Sequence, residues 1–259
     1  MNTVLLALET MGVAVAFAVI GVLLARRRIK HQVAEGHNDV LVPMFLTAGT
    51  LYAVLLAFLV IAVWETYGAA KENMAQEAAS LVSMYRLTQG MDKSETDTMQ
   101  RLIREYVEAV VQDEWVTQSE SGKASKKARK AIGDVIRGYG QMPSKVRNAH
   151  PIINQEFLSI TDQVIAMRNK RIMQAGESLP WVMWLAAILG GLITVGMTFL
   201  LFMEREWPHV LMSGLMSLII GTLIFSILVL NRPFVGPMAL GAEPFESTLH
   251  TLDAVDQGN

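Results

Sequence analysis

Four windows of this chain carry almost no charge: Val4–Ala25, Val40–Trp64, Leu179–Met203 and Val210–Leu230. Each holds about 20 residues or more, the length a helix needs to cross a hydrocarbon core of about 30 Å. The residues between Tyr67 and Ser178 are polar and charged, with ordinary amphipathic spacing. The sequence therefore predicts an all-α membrane protein, with four transmembrane helices and a helical-bundle insert between spans 2 and 3. The expected boundaries are 1–66 for the first transmembrane hairpin, 67–178 for the soluble insert, 179–231 for the second hairpin and 232–259 for a C-terminal tail. The overall 52% hydrophobic and 18% charged residues average two unlike parts. Met1–Ala25 lacks a basic n-region and a small-residue cleavage site, so it is expected to be a retained span.

Charge and cysteine content exclude more than they assign. A net charge of −2 leaves no basic excess for a nucleic-acid partner. With no cysteine there is neither a disulfide framework nor thiolate chemistry. Orientation is read from the cluster Arg26, Arg27, Arg28, Lys30 and His31, which follows span 1 at once. Basic residues in short loops stay cytoplasmic. That places the 26–39 loop inside and the insert outside, hence periplasmic, with the 204–208 hairpin inside. Arg168, Lys170 and Arg171 near the end of the insert argue the other way, but long loops translocate largely regardless of charge.

Along the chain, span 1 holds one acid, Glu9. It reads either as a carboxylate reaching the headgroups or as an ion or proton site, since an acid inside a span is costly. Span 2 is expected to begin after Pro43, which suits a first helical turn. It then runs unbroken out of the membrane to about Thr88, past Gly68. On this extension Met74, Ala78, Leu81, Val82 and Tyr85 keep a 3.6-residue rhythm, with Glu72, Gln76 and Arg86 on the wet side. Ser94 or Thr96 is expected to cap the next helix, whose apolar stripe runs from Met99 to Val111. "TQSESGKASKKARK" reads as a loop followed by a basic surface, either simply solvated or attracting anions. A last insert helix begins after Pro151, with Ile152, Ile153, Phe157, Ile160, Val164 and Met167 on one side. In spans 3 and 4 small residues recur every four positions: Gly190, Thr194 and Thr198, then Ser213, Ser217 and Gly221. They read as helix-packing positions or as a weakly polar face lining a water path. Beyond span 4, Pro233, Gly236, Pro237, Gly241 and Pro244 forbid a long helix. That segment is expected to run along the membrane surface or fold back onto the insert, with Asn231 and Arg232 satisfying carbonyls at the span's end.

Enzyme signatures are missing. The chain has no phosphate-binding glycine loop and no HExxH, and its five histidines are scattered. His37 and Asp39 in "GHND" fall short of the three or four ligands a transition metal needs. They read better as a polar turn, with Asn38 or Asp39 capping span 2. No catalysis, metal or cofactor is expected.

Two stretches carry a resemblance. "HNDVLVPMFLTAGTLYAVLLAFLVIAVWETYGAAKENMAQEAASLVSMYR" and the later "NRPFVG" resemble the bestrophin-like family of bacterial membrane proteins, a domain of unknown function (DUF4239). The motif positions are His37, Asn38, Asp39, Tyr52, Trp64, Glu77, Tyr85 and Arg86, then Pro233, Phe234 and Gly236. The similarity extends more distantly to bestrophins, which are pentameric anion or cation channels with four spans, a helical region between spans 2 and 3, and an apolar neck on span 2. The resemblance implies a bacterial inner-membrane homo-oligomer, a pentamer, that passes small inorganic ions. Phe58 would stand in for a neck aromatic. One departure stands out: bestrophins keep both termini and the insert in the cytoplasm, whereas the arginine cluster here argues for the reverse.

The leading expectation is thus an ion channel or pore lined by span 2. Its candidate lining is Thr47, Thr50, Leu55, Phe58, Ala62 and Glu65, with Leu55, Phe58 and Ala62 as a constriction. The competing expectation is a non-conducting membrane sensor or scaffold whose insert binds a partner; the lack of intramembrane charge beyond Glu9 favours it.

Overall fold

The computed structural model describes residues 3–29, 36–144 and 149–257. Among these it is helical, with no strand. Lys30 and His31 lie outside the described residues. Helix α1 is Thr3–Ile29, α2 His37–Leu87, α3 Lys93–Ala109, α4 Trp115–Ser121, α5 Lys126–Gly140, α6 Pro151–Gly176, α7 Trp181–Leu200, α8 Glu206–Leu230 and α9 Glu243–Gln257. Helices α1, α2, α7 and α8 are long and apolar enough to cross a membrane. The chain divides into two compact units: Met1–Thr66 with Ser178–Asn231, and Tyr67–Glu177 with Arg232–Asn259. Helix α2, 51 residues long, contributes to both. Gly68 does not interrupt it.

In the first unit, helices pack where side chains are small, because lipid supplies no hydrophobic drive between them. Helix α1 runs against α8, where a Cβ on Gly221 would come 3.1 Å from Ala14 Cβ. Ser217 Oγ donates to the Ala14 carbonyl at 2.6 Å. Ser213 is buried as well. Thr194 and Thr198 are buried with their hydroxyls bonded to their own helix, to Gly190 O and Val195 O. Helix α2 seats Tyr52 against α7: its hydroxyl donates to Ala187 O at 2.8 Å, and a Cβ on Gly190 would overlap its ring. All six small positions are therefore occupied by packing within the chain.

The second unit is a water-type core. Leu81, Met84, Ile103, Phe157 and Leu252 are fully buried, each contributing about 1.5–3 kcal/mol by leaving water. Tyr139 stacks on Phe157 with centroids 4.9 Å apart.

Several local expectations are corrected. Helix α2 starts at His37, so Pro43 lies inside it and removes the hydrogen bond that would reach the Asp39 carbonyl. Asp92, not Ser94 or Thr96, stands at the α3 N-cap; the Thr96 hydroxyl donates instead to Thr88 O and Met91 O. All of "WVTQSES" is helix α4, so the stretch read as a loop begins helical and is ended by Gly122 at φ 66°. Ile152 is 83% exposed, because it lies one position off the covered stripe that half-buried Ile153 begins and Phe157, Ile160 and Val164 continue. Asn231 closes its own helix only through its amide, which donates to Ile227 O; its side-chain Oδ1 instead accepts from Leu179 N, just ahead of α7, at 2.7 Å. The glycine- and proline-rich segment after span 4 does fold onto the insert, and it then forms α9, which packs on α3.

Replacing Gly190 by Ala should lower the thermal midpoint of the detergent-solubilised protein, by about 1–3 kcal/mol of overpacking. Gly214→Ala, where a Cβ meets nothing within 4 Å, should leave it unchanged. Equal midpoints for the two variants would disprove the Tyr52 seat.

Candidate functional site: the exposed face of the long helix

The burial pattern of α2 divides it lengthwise. One side is covered: Tyr52, Leu56, Leu59 and Val63 in the membrane half, then Ala70, Met74, Glu77, Leu81 and Tyr85 in the insert. The opposite side is exposed at every turn from Thr47 through Leu51, Val54, Phe58, Ile61 and Glu65 to Glu72. Phe58 is 68% exposed and Trp64 66%. Of the six lining candidates, Thr47, Thr50, Phe58, Ala62 and Glu65 stand on this exposed side, whereas Leu55 is half-buried against the core. The Thr47 and Thr50 hydroxyls are bonded to Pro43 O and Leu46 O one turn back, which leaves their methyls and oxygen lone pairs outward. This face is apolar at its centre and acidic toward the insert.

The motif residues at the start of α2 have a different task from the expected cap. His37 Nε2 hydrogen-bonds Leu200 O at 3.0 Å. Asn38 Nδ2 donates to Phe202 O, and Asn38 Oδ1 accepts from Phe202 N. Together they fix the α7–α8 connection, where the helix breaks at 201–205 and the carbonyls need partners from outside it. Asp39 sits in the first turn, its amide bonded to Gly36 O. Arg26 reaches the same connection, donating to Met203 O at 2.9 Å.

In the insert the motif acid Glu77 pairs with a buried charge cluster. Arg171 on α6 forks onto it, Nε to Oε2 at 2.7 Å and Nη2 to Oε1 at 3.0 Å. The same guanidinium bonds Glu114 Oε1 at 2.9 Å and Gln118 Oε1 at 2.6 Å. It lies over Trp115 and Phe245, 5.3 Å from each ring. Arg168 pairs with the other Glu114 oxygen, and the Tyr106 hydroxyl donates to Glu77. A π-helical turn, Val110–Glu114, precedes α4, and its extra residue turns Glu114 inward. Two acids and two guanidiniums balance. Burial opposes the charge on Arg171, but Glu77 beside it outweighs burial and holds the guanidinium pKa above its ordinary value. Burial likewise pushes the Tyr106 phenol up, with Glu77 adding to the effect.

The remaining motif residues hold the tail segment. Tyr85 donates to Asp256 at 2.6 Å, and burial with this bond raises its phenol to about 12. Arg104 bonds Asp253 and Asp256. Phe234 packs edge-on to Trp115, whose indole donates to Leu240 O. Buried Pro233 offers its carbonyl to Leu240 N at 2.7 Å, and Gly236 takes φ 106°, a conformation side chains disfavour. Arg86 stays exposed. Glu9 is exposed at the rim of a cleft in the first unit. Among the described residues no cluster of three or more His, Cys, Asp or Glu could hold a metal.

Removing one member of the cluster should strand a buried charge. Arg171→Met is expected to destabilise the insert by about 3–5 kcal/mol, read as earlier proteolysis of the insert and a lower melting midpoint. A midpoint equal to that of the parent would refute the hub.

The fold is similar to that of solved bacterial bestrophin homologues from Klebsiella pneumoniae. One such crystal structure aligns with a TM-score of 0.71 at 13% identity, over 96% of this chain and 98% of that one. Another, described only as a membrane protein variant, gives 0.72 at 12% identity over the same shares. Identities this low speak for the fold alone. No curated protein matches the chain by sequence. The sequence profile of the Bestrophin-like domain matches residues 12–245, which includes the whole of α2, the buried cluster and the Pro233–Gly236 turn. The chain belongs to the Bestrophin-like family.

Proposed function

We propose that this chain assembles into a homo-oligomeric ion pathway through the bacterial inner membrane, a pentamer by kinship, with α2 nearest the axis. The observation that carries the reading is the uninterrupted exposed side of α2. Among the described residues of the protomer nothing covers it from Thr47 to Glu72, and it changes from apolar to acidic along its length. Phe58 and Ala62, with half-buried Leu55 behind them, form the constriction, and such apolar rings gate by dewetting. Glu65 and Glu72 make the mouth on the insert side acidic, while exposed Arg27 and Arg28 make the other side basic. The insert faces the periplasm on this reading, which the arginine cluster favours. In support, the two arginines that argued the other way, Arg168 and Arg171, are buried and paired within the insert, which leaves only Lys170 of that trio exposed.

Class averages of the purified protein in nanodiscs should show a closed ring with α2 innermost. In reconstituted vesicles Phe58→Ala should raise ion flux several-fold. A monomer or compact dimer, or flux indifferent to residue 58, would end the pore reading and favour a scaffold whose insert binds a partner. Orientation has its own test, because the chain has no cysteine of its own. A membrane-impermeant maleimide should label Glu120→Cys in intact spheroplasts and Arg205→Cys only after permeabilisation. The opposite pattern would place the insert in the cytoplasm.

A further inference from the structure

The first unit holds a cleft of about 420 Å³ among α1, α7 and α8, within the range of about 300–1,000 Å³ usual for small-molecule sites. Gly191 and Gly221 give it depth, and Val13, Phe17, Leu192 and Ile224 form its sides. The rim residues Val13 and Leu192 are 70% and 44% exposed, so the cleft opens outward from the helices. Its polar groups are almost all satisfied internally. Thr10 Oγ1 donates to Leu6 O and Ala7 O, and Ser217 Oγ to Ala14 O. A cleft lined this way stays dry and suits hydrocarbon.

Glu9 is the exception. It is the one charged residue of the lining, it is exposed, and no ion pair among the described residues includes it. Its depth is set by helix geometry. Arg26, on the same helix, marks one end of the unit by its bonds to Met203 O and Glu204 O. Seventeen residues separate it from Glu9, about 25 Å along an α-helix. Against a hydrocarbon core of about 30 Å, this puts the carboxylate near the headgroup level of the opposite leaflet, with the apolar cleft running inward from it.

We propose that this cleft is a lipid site: it takes one acyl chain, and Glu9 holds the ammonium of a phosphatidylethanolamine-type headgroup. Walls and bulk acyl chains are equally apolar, so selection rests on the shape of the cleft and on the charge at its mouth. The site does not depend on whether the chain conducts.

Native mass spectrometry of the full-length protein, with phosphatidylethanolamine and phosphatidylglycerol of identical acyl chains, tests it. The parent protein should retain phosphatidylethanolamine about threefold better, as one exposed charge pair allows. Glu9→Gln should keep lipid but lose the preference. Leu192→Trp, which fills the cleft from its rim, should lose both lipids while eluting as the parent does. Equal retention by Leu192→Trp and the parent would overturn the cleft as the site. Equal retention of the two lipids by the parent, or an undiminished preference in Glu9→Gln, would overturn the headgroup contact. A changed oligomeric mass in Leu192→Trp would show instead that a second copy of the chain covers the cleft.

Discussion

A guanidinium removed from water must be paired on nearly every side, and Arg171 is the residue around which the insert is arranged. Its partners come from α2, from the π-helical turn and from α4, and aromatic rings of α4 and α9 flank it. Neither α2 nor the π-helical turn can shift by a turn against α6 without leaving a charge unpaired. A buried pair of this kind is a poor source of net stability, since desolvation consumes most of the attraction. Its effect is to select one register for the helices that meet there. The hydrophobic side chains around it would tolerate several arrangements; the fork between Arg171 and Glu77 tolerates one.

Helix α2 solves two different packing problems along a single rod. In its apolar half, association with neighbours relies on close fit and on hydrogen bonds such as that of Tyr52, because lipid competes on equal terms for apolar contact. In its second half the same helical side meets water's drive to bury Met74 and Leu81, and it can carry Glu77 because a partner waits. The exposed side changes character in parallel.

Much of the fold is legible in the sequence. Charge-free windows of sufficient length force four spans, and the rhythm of Met74, Ala78, Leu81 and Tyr85 marks the covered side of the extension. Small residues at four-residue spacing mark close approaches, although not which helices meet. The charge cluster is harder to see, because Glu77 and Arg171 lie 94 residues apart and no local pattern joins them. A signal exists nonetheless. Glu77 falls on the covered stripe of α2, and Arg168 and Arg171 continue the stripe of Phe157, Thr161 and Val164. A charge at a core position demands a partner. Glu114 is concealed further, since the π-helical turn shifts it out of the ordinary 3.6-residue phase. Helix α9 escapes a local reading because the turn residues Pro233 to Pro244 argue only against helix, and its first turn begins among them. The roles of His37 and Asn38 cannot be read locally, as their partners are backbone groups near residue 200.

The tail segment carries a consequence for the order of events at the ribosome. Phe245 flanks Arg171, Leu240 accepts from Trp115, and Asp253 and Asp256 bind Arg104. All of these are made after the second pair of spans, whereas the insert they complete is made before it. Domains commonly fold as they emerge, N-terminal parts first. Here the insert must wait, with one side of its core open, until two more helices have entered the bilayer. Its completion therefore registers that membrane insertion has finished, and a chain stalled after the third span would display an unfinished core to the quality-control proteases of that compartment.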